Sequence, residues 1–394
     1  MAAVIAELKR ALRISSVIPG AVILLALVSI FILPSASFAY PFFSRQIGRD
    51  CAFCHSIFPK LNETGRTFKS GGYRLPGEGE WKEVKDLTSL PASIEAEIEG
   101  AYSSLKTNGV KTKSSDLKIE ELEFIAGGAF GKTGRVSANA TITFEETDTG
   151  ADTSIHKAFV QVNDLLGPAG EGMLNVRAGK WEIGLPFLNT AAAITNRYLA
   201  ESVLDVLSLE QGAIEINGLV VADEDSIMPT HRYSLGISRE DVSSDDKLKG
   251  FYAAYAATFK EAYSIGALAR AGKEAIGGED MATSKYGIAF EAEGGPFILT
   301  AGYFRSNRAG ASDADDYLLE ALFFPLPKIS LGARFEYLKE GGRAGVKSQS
   351  IMARYSILSN AFAQIEYRGL SDEGHVIGAN EDEDKLRAFL VAVF

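Results

Sequence analysis

From Pro91 to Phe394 the chain alternates between apolar and polar residues. Ile94, Ala96, Ile98, Gly100 and Tyr102 interleave with Glu95, Glu97, Glu99 and Ala101. Val136, Ala138, Ala140, Ile142 and Phe144 interleave with Ser137, Asn139, Thr141, Thr143 and Glu145. A period of two marks a strand with one apolar and one polar face. The pattern returns at Leu174 to Trp181, Arg232 to Arg239, Gly250 to Phe259, Ser284 to Glu293, Phe297 to Ser306, Leu331 to Leu338, Ser350 to Ile357 and Phe362 to Arg368, with Gly, Asp, Ser and Asn clusters between. About sixteen such segments are expected, each near the roughly 9–11 residues that a tilted bilayer-crossing strand needs.

A large soluble β-protein would also alternate. Here the polar face is strongly polar, no long apolar helix follows residue 40, and the chain ends Phe389-Leu390-Val391-Ala392-Val393-Phe394. A terminal aromatic on a final strand is what outer-membrane assembly reads. The fold class predicted is therefore mainly β, a transmembrane antiparallel β-barrel, because only a closed sheet satisfies every backbone group in lipid. A mean hydropathy of +0.04 fits an alternating barrel better than a bundle of apolar helices. The net charge of −11 argues against a nucleic-acid partner.

The first residues read as an export signal. Lys9, Arg10 and Arg13 form a basic stretch, Val17 to Leu33 is nearly unbroken apolar, and Ser37-Phe38-Ala39 offers small residues to a peptidase. Residues 1–39 are the expected signal peptide, with the mature chain beginning at Tyr40. A retained anchor is the alternative; the short run and Pro34 favour cleavage.

The chain's only two cysteines stand in Cys51-Ala52-Phe53-Cys54-His55. C-x-x-C-H is the attachment run for a c-type haem: each thiol can add to one vinyl group of one porphyrin, and the adjacent histidine ligates the iron. A redox dithiol, a disulfide or half of a zinc site would also use two close cysteines. Zinc needs further ligands, and His156, His231 and His375 are isolated. One covalent haem c is expected, with Cys51 and Cys54 as anchors and His55 as the proximal ligand to the iron. Its segment, residues 40–90, is short for a domain that buries its own core, so the barrel, residues 91–394, is expected to help enclose it.

Around that motif lie Pro41-Phe42-Phe43-Ser44-Arg45-Gln46-Ile47-Gly48, then Pro59, Leu61-Asn62, Gly65-Arg66, Phe68-Lys69 and Gly72-Tyr73. This stretch resembles the fused monohaem cytochrome c-porins of bacterial outer membranes, a family that includes outer-membrane iron oxidases. The resemblance is dense from Pro41 to Tyr73 and beyond it rests on strand pattern and phrases such as Val176-Arg177-Ala178-Gly179-Lys180-Trp181. Ile47 departs from the family, where threonine is common. The resemblance implies an electron conduit across the outer membrane, with a small α-helical haem segment plugging or lining the lumen or lying on its periplasmic side.

On that reading single electrons pass from an extracellular reductant, Fe(II) above all, to a periplasmic cytochrome c or similar acceptor. This is an Fe(II):cytochrome c oxidoreduction that needs no acid, base or nucleophile. Export of electrons to an outside acceptor, a solute-selective porin with a redox-sensing plug, and a periplasmic haem enzyme with an open sixth site are the alternatives. Outer-membrane lipid is the remaining expected partner.

Several residues have expected duties. Phe42, Phe43, Phe53, Phe58 and Leu61 exclude water from the porphyrin, and Arg45, Arg66 and Lys69 meet propionates or luminal carboxylates, with Arg66 the foremost propionate partner. No further histidine and no methionine lies between His55 and the first strand. A sixth ligand must then come from the barrel, from an oxygen or amine donor, or from water. Met352 shares parity with Ser348, Ser350 and Arg354, which points it into the lumen and makes it the candidate sixth ligand. Met173 and Met281 are weaker candidates, and parity sends His156 and His231 to the lipid face or the rim. Acidic clusters at 145–152, 241–246, 313–316 and 381–384 are expected in loops, as solvated ends or cation-attracting patches.

Overall fold

The computed structural model describes residues 42–75, 91–107, 109–147, 150–167, 172–188, 192–222, 227–239, 248–276, 279–309, 312–341, 343, 345–372 and 380–394. The expected signal peptide and the junction at residues 76–90 lie outside the described residues.

The N-terminal part carries a helix α1 (Phe42–Ile47), a 3-10 turn (Cys51–Phe53), a small hairpin of β1 (His55–Ile57) and β2 (Lys60–Leu61), and a helix α2 (Glu63–Ser70). Then come β3 (Ala92–Thr107), β4 (Val110–Phe130), β5 (Val136–Thr147), β6 (Gly150–Val162), β7 (Asn175–Ile183), a one-turn helix α3 (Leu199–Ser202), β8 (Ser208–Val220), β9 (Thr230–Arg239), β10 (Leu248–Phe259), β11 (Tyr263–Ile276), β12 (Glu279–Gly294), β13 (Phe297–Arg308), β14 (Ala314–Leu326), β15 (Ile329–Glu340), β16 (Val346–Leu358), β17 (Ala361–Asp372) and β18 (Asn380–Val393).

β3 to β18 form one closed antiparallel barrel of 16 strands, each paired with its neighbours in sequence. The last strand closes the ring on the first, with Phe389 opposite Glu99 and Leu390 opposite Ile98. The terminal residue joins this seam: Phe394 and Ile94 exchange backbone hydrogen bonds at 2.8 and 3.1 Å. Closure leaves no unpaired edge, which is how a sheet satisfies its backbone without water.

The alternation sorts as a soluble protein's would, but inside out. Ile351 is 59% exposed on the outer wall while its neighbour Met352 is 1% exposed within. Ile94, Ile98, Phe124, Ile288 and Leu319 likewise face outward, and Glu99, Arg270, Lys285, Glu291, Arg334 and Glu366 are buried inward. An apolar outer band over a charged interior suits a hydrocarbon surround. Among the described residues no helix is long and apolar enough to cross a membrane.

The interior is filled by two stretches of chain. One is residues 42–75. The other, which the sequence pattern does not foretell, is the connection between β7 and β8, where Leu185, Leu188, Leu199, Leu204 and Val206 join Phe68, Tyr73, Phe159 and Trp181 in the main apolar cluster. Both stretches are tied to the wall by ions and amides. Arg66 donates to Glu291 at 2.7 Å and Lys60 donates to the same carboxylate at 2.6 Å. Arg232 reaches Glu63, and Arg74 pairs with Asp164 at 2.5 Å. In the second stretch, the Leu199 amide donates to Glu336 at 2.6 Å and Asp205 pairs with Lys285 at 2.6 Å.

Three of the expected acidic loops are strand ends instead: β5 runs to Thr147 and takes in Glu145 and Glu146, and β6 begins at Gly150 and takes in Asp152. β14 already begins at Ala314 and takes in Asp315 and Asp316, and β18 begins at Asn380 and takes in Asp382 to Asp384. Charged residues do not end a barrel strand where it rises past the apolar band, so polarity alone misplaces the boundary. The stretch 241–246 lies outside the described residues.

Candidate functional site

The C-x-x-C-H stretch is shaped by its polar neighbours. Asp50 caps the 3-10 turn by accepting from the Phe53 amide at 3.2 Å. Asn62 caps α2 by accepting from the Gly65 amide at 2.9 Å. The same side chain donates to the Phe53 carbonyl at 3.2 Å, and its amide donates to the Cys54 carbonyl at 3.0 Å. α2 lies so close here that a Cβ on Gly65 would run into the Cys54 carbonyl oxygen. Glycine at 65 is therefore a packing requirement, and Asn62 with Gly65 fixes the turn that presents both thiols.

Cys51, Cys54 and His55 line one cavity of about 260 Å³, somewhat below the roughly 300–1,000 Å³ usual for ligand sites. The two cysteines are not joined to each other in a disulfide. Burial raises the Cys51 pKa and pushes that of Cys54 up to about 11. His55 Nδ1 lies 3.0 Å from the Pro59 carbonyl oxygen. A ring held there as the Nδ1–H tautomer has Nε2 free as a lone-pair donor, which is how ligating histidines are oriented. Burial lowers the His55 pKa to about 4, so the imidazole is neutral, as a ligand must be.

The remaining wall is largely aromatic. Phe43 stacks on Tyr73 at 4.8 Å and meets Phe68 edge-on at 4.9 Å, Tyr73 lies 6.3 Å from Phe159, and Phe159 lies 6.0 Å from Trp181. This file runs from the N-terminal segment onto β6 and β7. Polar groups gather at its border, where Glu182 pairs with Lys157 at 2.7 Å and with Lys69 at 3.4 Å. Tyr73, Phe159 and Trp181 were not singled out from the sequence. Trp181 is mentioned there only within a porin-like phrase, and alternation does not say what a residue such as Phe159 faces across the lumen.

Of the residues expected at this site, Phe43, Phe53, Phe58, Leu61 and Lys69 line the cavity beside the cysteines. The side chains of Phe42 and Arg45 lie outside the described residues. Arg66 does not line it: its guanidinium is turned to Glu63 at 3.2 Å, Glu291 at 2.7 Å and Glu293 at 3.8 Å. Burial opposes that charge, and these three carboxylates outweigh it and raise the Arg66 pKa. Met352 points inward as parity predicts, but it packs with Ile57, Ala193, Ile194, Ile298 and Leu322 in a separate apolar cluster away from the cavity lining. Met173 is 42% exposed, so a luminal position is not what the fold gives it.

His375 lies outside the described residues, and the two other histidines part ways. His231 lies on the outer side with Tyr255, whose hydroxyl is 2.6 Å away. His156 does not follow its parity. The β5–β6 register steps from Thr141 opposite Lys157 to Ile142 opposite Ile155, leaving His156 as the extra residue of a bulge. It turns inward, with Nδ1 3.4 Å from Glu210 and 3.6 Å from Glu123. A bulge shifts every later side chain across the sheet, and simple alternation cannot register it.

No protein-family model matches the chain, and no curated protein matches it. Solved structures do. An anion-selective porin from Comamonas acidovorans superposes with a TM-score of 0.58 at 10% identity, covering 77% of this chain and 99% of that one. OmpF of Salmonella typhi, solved in complex with daunomycin, gives 0.54 at 10% identity, over 77% and 98%. In-vitro folded OmpT, an outer membrane protein of Vibrio cholerae, gives 0.53 at 12% identity, over 79% and 100%. At such identities the likeness is one of fold: the barrel is of the porin type.

Proposed function

We propose that the chain is an outer-membrane electron conduit that carries one covalent haem c on Cys51 and Cys54, with His55 as its proximal ligand. It takes single electrons from an extracellular reductant, ferrous iron, and hands them to a periplasmic cytochrome c. The observation that carries this reading is the cavity lined by both cysteines and the His55 ring, with Nδ1 tied to Pro59 and an aromatic wall opposite. A neutral imidazole with Nε2 uncommitted, two thiols three positions apart and apolar walls are the donor set and surroundings that a c-type haem requires.

Bound there, the haem would supply a one-electron couple within the barrel wall. The protein's own residues do the rest. Phe43, Phe58, Tyr73 and Phe159 keep water from the porphyrin faces, and Pro59 fixes the His55 tautomer. The Lys69–Glu182–Lys157 group offers charges at the cavity border, where propionates would lie. Arg66 holds α2 to the wall through Glu291 and leaves the propionates to others.

Support for the location comes from the apolar outer band and the porin-type barrel. That fold also favours a second reading, a solute-selective porin with the N-terminal segment as a redox-sensing plug. Against an open pore stand residues 42–75, which make buried ion pairs with the wall, and residues 192–207, whose Leu199 amide donates to Glu336 and whose Asp205 pairs with Lys285.

Intact-mass analysis of the protein purified from outer membranes, with its visible spectrum, tests the haem. One haem per chain is expected, lost when Cys51 and Cys54 are both replaced by alanine. A mature chain of unmodified mass with both thiols free sinks the conduit.

A further inference from the structure

Among the described residues, one group on the inner wall brings together three side chains with metal-ligating atoms: Glu121 and Glu123 of β4 and His156 of β6, whose ligand atoms all lie within 4.8 Å of one another. We infer that these three form a binding site for a divalent transition-metal ion, and that this site holds the ferrous ion before its electron enters the barrel. The second clause rests on the proposed function; the first does not.

Three observations carry the inference. The histidine is present only because of the bulge in β6, which takes a side chain that parity would turn to the lipid and aims it at carboxylates. A second bulge, in β4, steps the register from Glu97 opposite Glu121 to Ile98 opposite Ile119 beside the same group. Bulges recur where a sheet must re-aim a functional side chain.

The charges form the second observation. Many inner-wall acids meet bases, as in Lys60–Glu291, Arg334–Glu320 and Arg387–Glu366. Here acid faces acid: Glu95 stands opposite Glu123, and Glu97 opposite Glu121. Among the described residues Glu95, Glu97 and Glu121 have no ion pair with a lysine or arginine. Like charges directly opposite in a ladder repel, and a dication between them removes that repulsion.

Position is the third. Glu95 and Glu123 also line the cavity that holds Cys51, Cys54 and His55. The ligand set, one imidazole nitrogen with carboxylate oxygens, suits borderline ions such as Fe(II), Mn(II) and Zn(II) rather than soft ones. The step it would serve is a single electron transfer. The ferrous ion is oxidised to ferric, the ferric haem is reduced to ferrous, and no bond to the protein forms or breaks.

Mn(II) titration of the detergent-solubilised full-length mature protein, read by the electron paramagnetic resonance of free Mn(II), tests the site without interference from haem colour. One Mn(II) per chain, displaced by Zn(II), is expected. His156→Ala and Glu121→Gln should each weaken it by more than about tenfold, since ligand loss costs at least what loss of an outer-shell partner does. Reduction of the haem by dithionite should be unchanged in both.

No bound Mn(II) in the wild type, or wild-type affinity in both variants, overturns the site and leaves protons to neutralise the carboxylates. Should neither variant fold, protection of His156 from diethylpyrocarbonate by Mn(II) in the wild type, read by peptide mass, decides in their place; equal modification with and without the ion overturns it. Mn(II) binding without haem reduction by Fe(II) sinks the conduit and leaves the site standing. Reduction by Fe(II) at the wild-type rate in His156→Ala sinks the electron-donor role alone.

Discussion

Arg66 of α2 and Glu291 of β12 meet at 2.7 Å with their side chains 2% exposed, so the segment bearing the two cysteines is pinned to the barrel wall by a fully desolvated pair. Breaking such a pair from one side strands the other charge. Here Glu291 keeps Lys60 at 2.6 Å when Arg66 is lost, whereas loss of Glu291 leaves Arg66 with Glu63 and Glu293 but Lys60 with no paired carboxylate.

Glu291→Gln should therefore cost more than Arg66→Gln. The first strands the buried Lys60 ammonium and thins the carboxylates around Arg66 to Glu63 and Glu293, and should cost about 3–5 kcal/mol. Urea unfolding followed by tryptophan fluorescence, with ion conductance of single channels as a second readout, measures both effects. Equal costs for the two variants would contradict the arrangement.

Gly65→Ala should displace α2 from the thiol-bearing turn. The added methyl meets the Leu61 side chain and, more severely, the Cys54 carbonyl oxygen, a backbone atom that can yield only if the turn shifts. Overpacking of this kind costs about 1–3 kcal/mol. The fraction of chains that acquire haem should fall, while barrel formation, read by heat-modifiable gel mobility, should not.

Glu201 of α3 makes stability depend on pH. Its carboxyl is buried, and burial outweighs the Arg197 guanidinium at 3.9 Å and the more distant Arg334 and raises its pKa from 4.5 to about 7. The folded chain thus keeps a proton that the unfolded chain releases above 4.5. Stability is full below that value, falls as pH rises toward 7, and levels off above it, by ~3 kcal/mol at most. Glu201→Gln should flatten the difference between urea midpoints at pH 5 and pH 8; an unchanged difference would place the effect elsewhere.

Much of this was legible in the alternation. Strands such as Phe297–Arg308 and Ile329–Glu340 contain the segments read from the sequence and extend one or more residues beyond them at one or both ends, because pairing continues after the apolar face stops. Cys51, Cys54 and His55 announce themselves by spacing. What lies across the lumen was not legible: Phe159 and Glu291 follow ordinary parity, and only closure of the ring sets them against Tyr73 and Arg66. His156 was misread for a sharper reason, since one inserted residue inverts every face after it and leaves no mark on composition.

The most direct test of the conduit uses proteoliposomes with oxidised cytochrome c inside and ferrous iron outside. Reduction of the trapped cytochrome that depends on His55, without passage of a neutral sugar, is the predicted result. Sugar flux with no reduction, or reduction undiminished by His55→Ala, would contradict it.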